Sequence, residues 1–275
     1  MYALPIGALR AQGGHKSKKL IACAAAALTV LSGCQSTTAT GNTTTTTTTG
    51  GSGSSTPPTY AQAVSTRANG PVTFAYDTST NPTKVTLDAD SFTRTTIAGL
   101  SGNFSTHQKT GTSEFALHAL SDNGLGEVFI TRGASQISRS VDVTLPVETY
   151  VTYSGRYAGL WGDMDDAEAK AHVFGDVALQ WFVDTDTLTG TISNRITNNN
   201  TAVADVTLQA TLNDQGVFTG STAGGGLGGA NGSPGLMSAI PLGPASGQMV
   251  GELSFLSSIG TTFYSEFGGF VTTSD

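Results

Sequence analysis

Cysteine is nearly missing from this chain of 275 residues: Cys23 and Cys34 are its two. Charge is sparse too, at 12% of residues. The most apolar run, Leu20–Leu31, falls short of the roughly 20 residues a helix needs to cross a bilayer. Heptads are absent, which excludes a coiled coil. The apolar segments are too few and too short for the lipid-facing girdle of an outer-membrane barrel. No Gly-x-Ser-x-Gly elbow and no phosphate-binding Gly-Lys-Ser/Thr loop occur. The stretch Gly224–Gly235 lacks the lysine and the strand-to-helix setting of such a loop and reads as a flexible connection.

What is abundant is glycine, 35 residues, together with threonine and serine. Low charge with many turn formers suits β-structure with frequent turns. Residues 1–33 hold Arg10, Lys16, Lys18 and Lys19 and no acid. The remainder then has nine Lys/Arg against twenty Asp/Glu, a balance of −11. Such a surface repels phosphate backbones, so nucleic acid is not an expected partner.

Lys18-Lys19, the apolar run and a small-residue end form a secretory signal pattern over residues 1–33. Its last four positions, Leu31-Ser32-Gly33-Cys34, resemble the bacterial lipobox. That resemblance implies cleavage before Cys34 and lipidation of its thiol. Leu20-Ile21-Ala22-Cys23 fits the same four-letter pattern but lacks an apolar segment before it. With Cys23 removed and Cys34 acylated, no disulfide is left, although an exported compartment would permit one. Residues 34–59 are low-complexity, with seven consecutive threonines from Thr43 to Thr49. They bury too little apolar surface to repay ordering and read as a disordered linker. Gln35 is not the aspartate that holds lipoproteins in the inner membrane of enteric bacteria, so an outer-membrane anchor is expected.

From Tyr60 onward the hydrophobic period is mostly two. Val206, Leu208, Ala210 and Leu212 alternate with polar residues. Val177, Leu179, Trp181 and Val183 do the same, as do Met249, Gly251, Leu253 and Phe255. One greasy and one wet face is the pattern of an antiparallel sheet. Shorter strands are expected at Val72–Tyr76, Lys84–Leu87, Glu114–Leu120, Glu127–Thr131 and Val141–Leu145. Turns are expected at Asn81-Pro82, Asp122-Asn123-Gly124, Asn198–Asn200 and Asn213–Gly216. Asp163–His172, Ala-rich after an acidic start, reads as one or two helical turns. Pro146 marks a boundary between a β-rich region, 60–146, and a tighter set of strands, 147–275.

Residues 149–275 carry an ordered series of motifs. They are Tyr153–Trp161 (Y-x-G…L-W), Gly175–Asp184 and Leu188–Asn194 (L-x-G-x-I-x-N). Gly216–Ser221 (F-x-G) and Glu266–Phe270 (E-x-G-G-x-F) follow. This series resembles the β-barrel domain of the transferrin-binding protein B family of surface lipoproteins. The resemblance implies an all-β, antiparallel fold: a small closed barrel at the C-terminus, preceded by a handle-like β-rich region. It also implies binding without catalysis or a resident cofactor, with a protein or haem as the ligand and iron or haem acquisition as the purpose. The glycines fit such a barrel, because they relieve crowding where side chains collide inside it. The chain departs from the family at Leu256–Gly260, where a Gly-Pro-like turn is usual, and in its long Gly-rich stretch Ala223–Pro244.

Little else points to chemistry. His107, His118 and His172 are widely spaced along the chain, without a metal-type pair. Asp163, Asp165, Asp166 and Glu168 supply oxygens at a spacing that could hold calcium, but without EF-hand spacing; a solvated turn explains them as well. Most aromatics of the second half are expected in the core. Trp161 and Phe182 are the candidate binding residues, Phe182 because alternation puts it on the polar face. Two other readings stay open: an envelope-interaction lipoprotein without a small ligand, and a β-sandwich hydrolase.

Overall fold

The computed structural model describes residues 59–66, 72–78, 81–87, 90–95, 100, 102–163, 171–225, 234–259 and 262–275. Of these, 63–66, 72–78, 81–83, 163, 257–259, 262 and 263 are described by backbone alone. The expected signal peptide, Cys34 and nearly all of the linker lie outside the described residues, as do Asp165, Asp166 and Glu168.

The second half forms eight strands: β11 (Tyr150–Asp163), β12 (Ala171–Phe182), β13 (Thr187–Thr197), β14 (Val206–Leu212), β15 (Phe218–Gly224), β16 (Gly235–Leu242), β17 (Gln248–Ile259) and β18 (Thr262–Ser274). Each pairs antiparallel with the next, and β18 returns to β11 through Tyr157↔Phe270 and Trp161↔Glu266. The barrel is closed, so no ladder is left unpaired at an edge. Alternation decides which side chains enter. On β14, Val206, Leu208, Ala210 and Leu212 are buried while Thr207, Gln209 and Thr211 face water.

Side chains fill the interior, and glycines make room for the largest of them. A Cβ at Gly159 or at Gly268 would lie 2.4 Å from the Tyr157 hydroxyl. A Cβ at Gly251 would lie 2.1 Å from the Phe270 ring. Gly269 faces the other way, where a Cβ would come within 3.1 Å of Ala119 in the neighbouring sheet. The Gly-Gly pair of the last strand thus serves the inside and the outside of the wall at once.

The first half contributes β1 (Thr59–Tyr60), β2 (Ala63–Thr66), β3 (Val72–Thr78), β4 (Asn81–Leu87), β5 (Asp90–Thr95), β6 (Phe104–Lys109), β7 (Phe115–Leu120), β8 (Gly126–Ile130), β9 (Ser135–Arg139) and β10 (Val143–Thr144). β1 pairs with β10; the others form an eight-stranded antiparallel sheet, order β2-β9-β8-β7-β6-β5-β4-β3. Chain connectivity forces this sheet to curl. Its two edge strands are joined from Thr66 to Val72, a reach of at most about 22 Å, whereas a flat eight-stranded sheet holds its edges roughly 34 Å apart. The curl brings the Phe92 ring of β5 within 5.6 Å of the Phe129 ring of β8, across two intervening strands.

One face of the sheet packs on the outer wall of the barrel. Leu117, Val128, Ile130 and Ile137 share a buried cluster with Leu160, Ile240, Val250 and Val271. This contact explains why β16 through β18 are buried on both faces and show no clean alternation there. Ser135 donates a hydrogen bond to Glu252 across the layer, 2.9 Å.

Arg139 fastens the end of β9 to the barrel. It is 2% exposed and donates to the backbone carbonyls of Ala61, Gln215, Gly216 and Pro241. Burial pushes its guanidinium down to about 10, so it stays charged at neutral pH. Arg139→Met is expected to lose about 3 kcal/mol in denaturant unfolding, because four carbonyls lose their donor. Arg139→Lys is expected to recover only part of that loss, since an ammonium cannot span the same fork.

Three local expectations are corrected. Asp163 closes β11 opposite Tyr264 of β18, and Ala171-His172 open β12 opposite Trp161 and Leu160; both ends of the segment read as helical are strand, while residues 164–170 are outside the described set. Asn81 and Pro82 lie inside β4, opposite Thr78 and Tyr76, where a register shift accommodates the proline. Gly235–Leu242, read as loop, is β16, whose outer face is covered by the sheet.

Candidate binding site at the ends of the barrel

A bulge in β13 builds the polar interior near one end. Phe174 pairs with Ile196 and Asp176 with Ser193, so β13 carries an extra residue there. Asn194 supplies it at φ 52°, a conformation asparagine tolerates better than most residues. Its amide donates to Asp176, 2.9 Å, which also accepts from Arg156, 2.6 Å. The bulge turns Arg195 into the barrel.

Inside, Arg195 donates to both carboxylate oxygens of Glu266 at 2.5 Å and to the carbonyl of Ala204. Tyr157 donates to Glu266, 2.7 Å. The guanidinium sits 5.5 Å from the centre of the Phe255 ring. Arg195 and Glu266 are almost fully buried. Trp161, opposite Glu266 in register, stacks on Tyr264 with ring centres 4.4 Å apart. It is partly buried against the barrel core. The candidate Trp161 is thus an inward-facing residue on the strand beside Glu266, whose ion pair with Arg195 sequence reading missed. The only signal for that pair was an arginine following the L-x-G-x-I-x-N motif.

Burial, ahead of the Glu266 charge, raises the Tyr157 phenol well above its ordinary range. Burial likewise raises Tyr153, whose hydroxyl donates to the Ser246 carbonyl at 2.9 Å. The folded state therefore keeps both phenols neutral while the unfolded chain ionises them from about pH 10. Stability is expected to be unaffected below that pH and to fall above it, by up to about 1.4 kcal/mol per pH unit for each phenol. Unfolding titrations of Tyr157→Phe and Tyr153→Phe check this; each should flatten the alkaline slope.

The two ends of the barrel differ. The end near Arg195 receives the connections 164–170, 198–205 and 225–234 and the short 260–261; the other has 183–186, 213–217 and 243–247. The chain enters at the second end. Tyr60 packs there on Gly216, where a Cβ would lie 2.6 Å from its ring. Phe182 also lies at this end. It faces outward, half-buried, directly opposite the exposed Tyr150. The sheet packs on β16–β18 and on the far part of β11, so it does not explain Phe182.

His107 and His118, far apart in sequence, meet inside the curl with ring centres 6.1 Å apart. His118 contacts Glu127 at 2.9 Å. Both imidazoles are buried among Phe92, Phe129 and Ala116. His172 lies on β12 against Phe174. Among the described residues, no three His, Cys, Asp or Glu side chains converge as a metal site.

No protein-family model and no curated protein matches the chain. Among solved structures, it is similar to the isotype 1 transferrin binding protein B of serogroup B Neisseria meningitidis. That likeness has 15% identity and a TM-score of 0.42, over 78% of this chain and 43% of that one. It is similar also to mutants of the transferrin binding protein B vaccine antigen of Haemophilus parasuis Hp5. There the identity is 13% and the TM-score 0.43, over 78% of this chain and 46% of the other. The chain thus spans less than half the length of the solved proteins it is similar to. Its own strand pairing, independently of these likenesses, establishes the closed barrel and the curled sheet.

Proposed function

We propose that this chain is a non-catalytic binding lipoprotein of the outer membrane, anchored through acylated Cys34 and displayed on the linker 34–59. A protein partner, or haem in an iron-acquisition role, is its ligand; that part of the reading comes from the motif resemblance to transferrin-binding protein B. The observation that carries the proposal is the asymmetry of the barrel. The chain enters at one end, and the three longest connections, 164–170, 198–205 and 225–234, belong to the opposite end. Rigid strands holding long connections away from the point of attachment suit capture of a partner. Among the described residues no helix is long and apolar enough to span a membrane.

Metabolic labelling with palmitate tests the anchor. Label is expected on the full chain and is expected to vanish in Cys34→Ala; label that persists in the variant overturns the anchor. Absorbance titration with haemin, and retention of host or environmental proteins on the immobilised chain, test binding. Failure of both overturns the binding half.

A further inference from the structure

We infer that the chain-entry end of the barrel is a docking surface for a basic protein segment bearing aromatic or aliphatic side chains. The inference goes beyond the binding reading: it adds a second surface, at the barrel end opposite the longer connections. Its floor is apolar and, among the described residues, uncovered. Val147 is 78% exposed and Tyr150 54%, and Phe182 stands beside Tyr150 on the outer wall. Single exposed apolar residues are ordinary, but adjacent aromatic ones on a rigid wall are the usual anchors of protein interfaces. The backbone under them is tied: the Val183 amide donates to the Thr149 carbonyl at 2.9 Å.

The rim is acidic. Glu148 flanks Tyr150, and Asp184 flanks Phe182; both are exposed. Asp186, exposed as well, joins through its carbonyl, which accepts from Leu212 at 2.8 Å. Burial first, then the charges of Asp186 and exposed Asp214, raise the Tyr60 phenol. Arg139, the cation that also acts there, is buried and gives its N–H groups to backbone carbonyls. The rim carboxylates therefore face solvent with no described cation among them. Charge complementarity selects a Lys- or Arg-bearing partner and speeds its encounter. Anionic lipid headgroups are repelled by the same rim.

Selection of short random displayed peptides on the full chain tests this, followed by affinity measurement on two variants. One is Tyr150→Ser/Phe182→Ser; the other reverses the rim with Glu148→Lys/Asp184→Lys/Asp186→Lys, all at exposed positions. Selected peptides are expected to combine Lys or Arg with aromatic or aliphatic residues. Affinity is expected to fall about tenfold or more in each variant and to weaken with salt. Peptides that bind both variants as well as the parent overturn the docking surface and leave the binding reading standing. Absence of any selected peptide also overturns the surface, and haemin titration or protein retention on the same chain reads the binding reading separately. Preferential binding of phosphatidylglycerol vesicles to the parent over the charge-reversed chain also overturns the proposal.

Discussion

Glu266→Ala is expected to cost about 3–5 kcal/mol of folding stability, because it strands a buried guanidinium. Arg195 would keep only the Ala204 carbonyl and the face of the Phe255 ring as partners. Tyr157 would lose its acceptor in the same step. Replacing both charges, as in Arg195→Met/Glu266→Leu, is expected to cost far less than Glu266→Ala alone, since no charge is left unpaired. Denaturant unfolding of Arg195→Met, Glu266→Leu and the double, read as a cycle, measures the coupling. A Glu266→Ala loss below about 1 kcal/mol, within the range of an exposed pair, would show that water reaches the barrel interior and that the ion pair is not a sealed core element.

Gly251→Ala is expected to destabilise the barrel by about 3 kcal/mol, the upper range for overpacking a tight core. The added methyl would meet the Phe270 ring at 2.1 Å. Phe270 is fully buried, and the two residues are directly opposite on β17 and β18. Neither strand can retreat without breaking the closed ladder. Phe270→Leu in the Gly251→Ala background is expected to restore part of the loss, although Phe270→Leu alone is destabilising. That sign reversal distinguishes a steric clash from a general intolerance of alanine. Thermal or denaturant unfolding of the three variants checks it, and simple additivity would refute the close approach.

The parts of the fold legible in the sequence are those buried on one face only. β14 reads unambiguously because Val206, Leu208, Ala210 and Leu212 alternate with wet residues. β12 reads almost as well through Val177, Leu179 and Trp181. β16 did not, because Met237 and Ala239 face the barrel while Ile240 and Leu242 meet the sheet. With both faces covered, the period of two disappears, and a strand between Gly-rich segments looks like loop. β5, β6 and β9 escaped for a related reason. Asp90–Thr95, Phe104–Lys109 and Ser135–Arg139 each carry one apolar anchor, Phe92, Phe104 and Ile137, in an otherwise polar run, too few to show a period.

The candidate residues divide the same way. Phe182 was placed on the outer face by alternation, and it stands there. Trp161 belongs to the opposite end, turned inward on Tyr264. Nothing local marked Arg195 as an interior residue, because its direction depends on the extra residue that Asn194 brings to β13. His107 and His118 became neighbours only through pairing of β6 with β7, which sets Ser105 opposite His118 and His107 opposite Ala116.

By itself the sequence determined the antiparallel all-β class and the inward face of several strands, since both follow from a period of two. Tertiary structure alone decided the closure of β18 on β11, the curl of the first sheet, the buried ion pair and the contrast between the barrel's two ends. These depend on which distant strands pair and in what register, and register is set by the summed packing of all partners rather than by any one segment.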